Sequence, residues 1–192
     1  MRRELSLLVF LVAQSVAPSH AIELAGVVLP DRVQPEGADQ VLVLNGAGVR
    51  EKFFIDIYVA ALYLPQARKV AGTLLSEPSA NRLAMHFVHS EVSKRKLDAA
   101  WYEGFERNST AAQFAAVQDR LQQFVALFGD MREGDTVWLD FLPGIGTRVS
   151  INGSRVGLIA GDDFNSALLA VWLGKKPVTQ ALKKALVGVD KQ

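Results

Sequence analysis

The chain contains no cysteine. That excludes disulfides, thiolate catalysis and cysteine-ligated metals. Histidine is also scarce, with three in the chain. His20 belongs to an N-terminal leader, and His86 and His89 lie three apart in a segment read as a strand. Such a spacing points them to opposite faces, which argues against a shared metal. Charge of one sign is missing too: 21 basic against 20 acidic residues give a net +1. There is no basic footprint for a nucleic acid, and none is expected as a partner. Internal repeats, low-complexity tracts and linkers are absent. "GAGVRE" lacks the third glycine of a dinucleotide fingerprint, and there is neither a P-loop nor a Gly-x-Ser-x-Gly elbow. No pair of carboxylates stands out as a general acid and base, and neither a metal nor a cofactor is expected.

Beyond the apolar segment at the start, no stretch reaches membrane-spanning length. Met1-Arg2-Arg3 is followed by "LSLLVFLVAQSVA" and then "SHA", with small residues at Ser19 and Ala21. That is the pattern of a secretory signal peptide over residues 1–21, cut after Ala21, with an apolar core too short to span a bilayer. A periplasmic or secreted protein is expected, with no stable membrane insertion once the leader is gone. Residues 22–192 have the length of one domain, enough to bury a core without staples.

The remainder alternates between two periods. "LPDRVQPEGADQ" reads as a surface loop between early strands, "QVLVLNG" as a short strand, "KFFIDIYVAALYL" as one long strand and "RLAMHFVHS" as a third. "ARKVAGTLLSEPSAN" could hold a short helix. In "SKRKLDAAWYEGFERN", Leu97, Ala100, Trp101, Gly104, Phe105 and Asn108 share one helical face, with Ser93 as N-cap. "AAQFAAVQDRLQQFVALFGD" carries a second stripe, Phe114 to Phe128, ending at Gly129; such a stripe reads as core rather than pocket. "DTVWLDFLPGIGTRVSINGSRVGLIAG" reads as three strands turned at Pro143-Gly144 and Asn152-Gly153. Asp162 is placed as the cap of "DFNSALLAVWLG" and Thr179 as that of "QALKKALVG". The order implies an α+β domain, a mainly antiparallel sheet with helices on one face.

Two charged residues in apolar surroundings remain. Asp140 sits beside Trp138 and Leu142 at alternate-residue spacing and reads as a solvated or paired carboxylate. Arg50 stands between a Gly-Ala-Gly bend and an apolar run. A guanidinium can hold a carboxylate through two parallel hydrogen bonds, which suits Arg50 to an acidic ligand. It could equally pair with Asp56 or Glu51, or bond backbone carbonyls near the bend.

"GAGVR" with "KFF" and "YVAALYLP", then "AAWYEGFERN", "EGDTVWLDF", "RVSINGSRVG" and "LLAVWLGKKPVTQALKKAL", resembles the chalcone isomerase-like family, and its exported bacterial branch in particular. The resemblance covers most of the mature chain in order. It implies an open-faced β-sandwich, a large antiparallel sheet under a layer of helices. It also implies positions for a site. Arg50 matches the arginine that stabilises charge in the plant enzymes, and Tyr58 falls where those enzymes carry threonine. Along the helix Trp101 matches their tyrosine, Gly104 their lysine and Asn108 their asparagine. Gly104 cannot replace an ammonium, and Trp101 donates but cannot accept. Non-catalytic fatty-acid-binding members pair the arginine with a tyrosine, as Arg50 and Tyr58 would.

The resemblance therefore favours a binder of a small apolar carboxylic acid, with Arg50, Tyr58, Trp101 and Asn108 as ligand contacts, over an intramolecular lyase acting on a phenolic enone. A structural partner in an envelope complex is the third reading. On one straight strand, Arg50 and Tyr58 would lie about 26 Å apart at roughly 3.3 Å per residue. Pairing them needs a bend near Glu51 to Phe53, where no glycine or proline marks one.

Overall fold

The computed structural model describes residues 21–188 except 39, 70 and 78; the signal peptide of the sequence reading thus lies outside the described residues apart from Ala21. Seven strands form one antiparallel sheet in the order β11-β10-β9-β6-β5-β4-β3. They are β3 (Arg32–Val33), β4 (Leu42–Lys52), β5 (Ile55–Leu64), β6 (Asn81–Phe87), β9 (Thr136–Leu142), β10 (Gly146–Ile151) and β11 (Ser154–Ile159). Two small ribbons accompany it, β1 (Ile22–Leu24) with β2 (Val27–Leu29), and β7 (Glu91–Val92) with β8 (Met131–Arg132). The helices are α1 (Ala71–Ser76), α2 (Lys94–Asn108), α3 (Ala111–Val125), α4 (Asp162–Leu173) and α5 (Gln180–Leu186). This is the expected α+β arrangement, a curled antiparallel sheet under a helical layer.

Both faces of the sheet's middle are covered. Tyr58, Ala60, Leu62, Leu83, Met85, Val137, Leu139 and Val149 meet the helices. Their neighbours Val59, Ala61, Tyr63, Ala84 and Trp138 pack on the other side with Leu29, Leu42 and residues of the β1–β2 ribbon. A strand buried on both faces needs no polar alternation, which explains the near-continuous apolar run of β5. Within the helical layer α4 is central, with every residue from Leu168 to Leu173 buried. No helix among the described residues is long and apolar enough to cross a membrane.

The long strand expected across "KFFIDIYVAALYL" is two strands. Lys52 ends β4, and Phe53-Phe54 form a two-residue hairpin turn before β5, with Lys52 opposite Ile55. Both phenylalanines have positive φ, 51° and 63°. A type I′ turn requires that sign at both positions and usually recruits asparagine and glycine, so neither residue announces it. Nor is Gly46-Ala47-Gly48 a bend. It lies inside β4, where α5 crosses so closely that a Cβ on Gly46 would stand 2.1 Å from the Ala185 carbonyl oxygen, and one on Gly48 2.7 Å from the Ala185 Cβ.

Smaller corrections follow the same logic. β3 pairs within the stretch expected to be loop. His89 lies beyond β6, in a bend rather than a strand. α3 stops at Val125, capped by Ala126, so Phe128 and Gly129 follow the helix. Gly161, not Asp162, caps α4, which leaves Asp162 and Asp163 in the first turn, where acidic groups favour the helix dipole. Ser93 occupies the N-cap of α2 without a side-chain bond, and Asp130 Oδ1 accepts from Lys94 N instead. Thr179 caps α5 as expected, accepting from Leu182 N.

Candidate functional site

The hairpin brings Arg50 and Tyr58 together. They are direct cross-strand partners, so their side chains share the helix-facing side of the sheet. A β-bulge lies between Arg50 and Glu51. Bulges re-aim a side chain and are common beside functional sites. The separation of the straight-strand geometry is thus removed by a turn at Phe53-Phe54, one residue beyond the expected stretch.

Arg50 is half-buried, and its Nη1 donates to the Glu51 carbonyl oxygen. None of the ion pairs among the described residues includes Arg50. Asp56 is exposed and stands opposite Glu51 rather than Arg50. Of the two rival partners, the guanidinium has taken a backbone carbonyl and left the acids.

Tyr58 is buried, and its hydroxyl accepts a 3.0 Å hydrogen bond from Trp172 Nε1. Burial pushes its pKa from 10.0 up to about 12, against the opposing pull of the Trp172 bond and the Arg50 charge. At neutral pH Tyr58 therefore keeps its proton, which leaves its hydroxyl with a hydrogen to donate. Tyr63, also buried, is pushed to about 12 by desolvation. For a neutral acid whose pKa rises on folding, the unfolded form ionises first, so stability is intact below pH 10 and is lost toward pH 12. Alkaline titration followed by phenolate absorbance should show two of the chain's three tyrosines delayed to about pH 12 or appearing with cooperative unfolding. Normal titration of all three would contradict the buried setting.

Trp101 follows inward. Its ring is T-shaped against Trp172 at 5.6 Å and against Phe124 at 5.0 Å, and it lies tilted on Phe128 at 5.6 Å. Its Nε1 is buried with no hydrogen-bond partner among the described residues, an uncommon state for an indole N–H in a core. Gly104, one turn on, explains why no lysine stands there. A Cβ would lie 2.9 Å from Val171 Cγ1, because α2 and α4 pack across that glycine. Asn108, another turn on, is turned elsewhere. Its Nδ2 donates to the carbonyls of Gly104 and Lys176, each at 2.9 Å, and its Oδ1 accepts from Lys176 N at 2.8 Å. The side chain stitches the end of α2 to the loop after α4.

Arg50, Tyr58 and Trp101 thus form a chain through Trp172, while Asn108 stands apart. The sequence reading passed over Trp172, and only its position on an apolar helix could have flagged it. A cavity of about 390 Å3 touches Asn108, Ala116 and Ala167 near the helix ends, and another of about 450 Å3 lies on the opposite sheet face. Neither is lined by Arg50, Tyr58 or Trp101. Behind Tyr58, the space between sheet and helices is filled by Trp101, Trp172, Phe124, Phe128 and Phe164.

A half-curled antiparallel sheet under helices, with an arginine opposite a buried tyrosine, defines a member of a known class. Residues 21–188 match the family model described as chalcone isomerase-like, and the chain belongs to that family. Among solved structures, a fatty-acid binding protein of Arabidopsis thaliana superposes with a TM-score of 0.70 over 88% of this chain and 96% of its own, at 17% identity. At that identity the likeness is one of fold. No curated protein matches.

Proposed function

We propose that the protein is an exported, non-catalytic binder of a small apolar carboxylic acid, such as a fatty acid, with Arg50 and Tyr58 receiving the head group. The carrying observation is the cross-strand pairing of an arginine that has no carboxylate partner among the described residues with a buried, protonated phenol. Guanidinium and phenol are both donors at neutral pH, which complements a carboxylate. The fatty-acid binding of the Arabidopsis neighbour agrees in kind. The N-terminal leader supports export.

The hairpin tip adds to this. Phe53 and Phe54 are 83% and 97% exposed and both hold positive φ. Bulky residues in that region carry strain, and strained exposed positions are found where function requires them. An apolar acid approaching Arg50 would meet these rings first. Because the interior is filled by aromatic rings, the alkyl chain enters only as Trp101, Phe124 and Phe128 shift, so binding should alter tryptophan fluorescence.

Catalysis is disfavoured by the same geometry. The helix offers Gly104 where a lysine would be needed, and Val171 fills the space. The amide of Asn108 is already bonded on both sides. The filled interior also favours a second reading, a purely architectural envelope component. Equilibration with a mixture of fatty acids, followed by mass spectrometry of what co-elutes, separates these readings. Recovered acids, weakened at least about tenfold by Arg50→Ala through the loss of a charge-assisted bond, support the binder. No recovered acid supports the architectural role, and chalcone cyclisation above background would restore the enzyme.

A further inference from the structure

The face of the sheet away from the helices carries a row of charges that the binder reading leaves unused. Arg82 on β6, Asp140 on β9 and Arg148 on β10 are successive cross-strand partners, and Arg155 on β11 stands opposite Ser150 one step along. Together with Trp138 they line a cavity of about 450 Å3, which Pro30, Val33, Gln34 and Glu36 also border. That volume falls within the range of small-molecule pockets, about 300–1,000 Å3.

The floor of this cavity is rigid. Arg82 and Asp140 are both buried and joined by two hydrogen bonds, Nε to Oδ1 at 2.5 Å and Nη2 to Oδ2 at 2.8 Å. The Arg82 guanidinium also lies 4.5 Å from the Trp138 ring centre. Asp140 therefore answers Arg82, and among the described residues no carboxylate pairs with the two further guanidinium groups. Among the described residues Arg148 bonds the Glu36 backbone carbonyl, through Nη1, and its Nε is buried without an acceptor. Arg155 is exposed and takes part in none of the ion pairs among the described residues. Ser150 adds a hydroxyl at the cavity wall. Among the described residues three arginines thus line the cavity and one carboxylate, that of Asp140, is paired with them, while a buried guanidinium N–H still lacks an acceptor.

We propose that this cavity is a second ligand site, for a small organic anion whose carboxylate or phosphate head sits between Arg148 and Arg155 while its body lies along the sheet beside Ser150. Two guanidinium forks held at a pocket wall match planar or tetrahedral oxyanions better than lysines would. The sheet separates this site from Arg50, so the two are occupied independently.

Calorimetric titration of the mature chain with benzoate and with phenyl phosphate tests the assignment and distinguishes the two heads. One probe or both should bind saturably at one site, more weakly as salt rises. Arg155→Ala, at an exposed position where folding is not at stake, should weaken that binding at least about tenfold, the loss expected for a bond to a charged group. Arg148→Lys, which keeps the charge and removes the fork and Nε, should weaken it as well. Arg50→Ala should leave it unchanged, whatever that variant does to fatty-acid binding. Absence of saturable binding by either probe overturns the proposal. So does binding that survives Arg155→Ala, or binding that Arg50→Ala abolishes.

Discussion

Replacing Asp140 by alanine is expected to lower the unfolding free energy by about 3–5 kcal/mol, because removal of one member of a buried ion pair strands the other. Arg82 would remain 7% exposed in the middle of the sheet, its two charge-assisted bonds gone and the Trp138 ring still against it. The cost is that of the stranded cation rather than the worth of the pair. The double substitution Arg82→Met with Asp140→Leu removes both charges and should recover most of the loss, since apolar replacements of buried pairs are often neutral or stabilising by about 1–4 kcal/mol. Urea unfolding of the wild type, the single variant and the double variant, with unchanged slope, measures both effects. A single-variant loss below about 1 kcal/mol, the range of solvated pairs, would show that the carboxylate is not buried as described.

Gly46→Ala should be nearly as damaging, with a loss of about 3 kcal/mol or more, at or beyond the upper end for an added methyl in a packed interior. The new Cβ would meet the backbone of α5, 2.1 Å from the Ala185 oxygen and 2.7 Å from that of Leu186, and backbone cannot swing aside as a side chain does. α5 must lift from β4, loosening the buried Leu182 and Leu186. Gly72→Ala in α1 is the control. Nothing lies within 4 Å of its Cβ, so relief of unfolded-chain entropy should stabilise it by about 0.4–1 kcal/mol. Thermal unfolding of the two variants should move in opposite directions. Equal tolerance at both positions would mean that α5 does not press on β4.

These two substitutions mark the limits of what could be read from the chain. Asp140 was legible as a carboxylate among apolar neighbours, but its partner lies 58 residues away, and nothing local in the sequence names it. Gly46 and Gly48 were read as a bend because glycine most often serves backbone freedom. Here the missing Cβ makes room for a helix more than a hundred residues later. Gly104 repeats the lesson on α2, where Val171 fills the space. The hairpin at Phe53-Phe54 was illegible because turn chemistry is recognised by glycine and asparagine, and this turn uses neither.

Periodicity and turn residues by themselves determined the α+β class, the helices α2 to α5, and the three-strand meander around Pro143-Gly144 and Asn152-Gly153. Those features depend on interactions between near neighbours, which the order of residues encodes directly. Tertiary structure alone decided that Arg50 faces Tyr58, that Asn108 serves the backbone, and that three arginines gather on the far side of the sheet. Each of these results from strand register or from packing between distant segments, and register is set by the whole sheet rather than by any stretch of it.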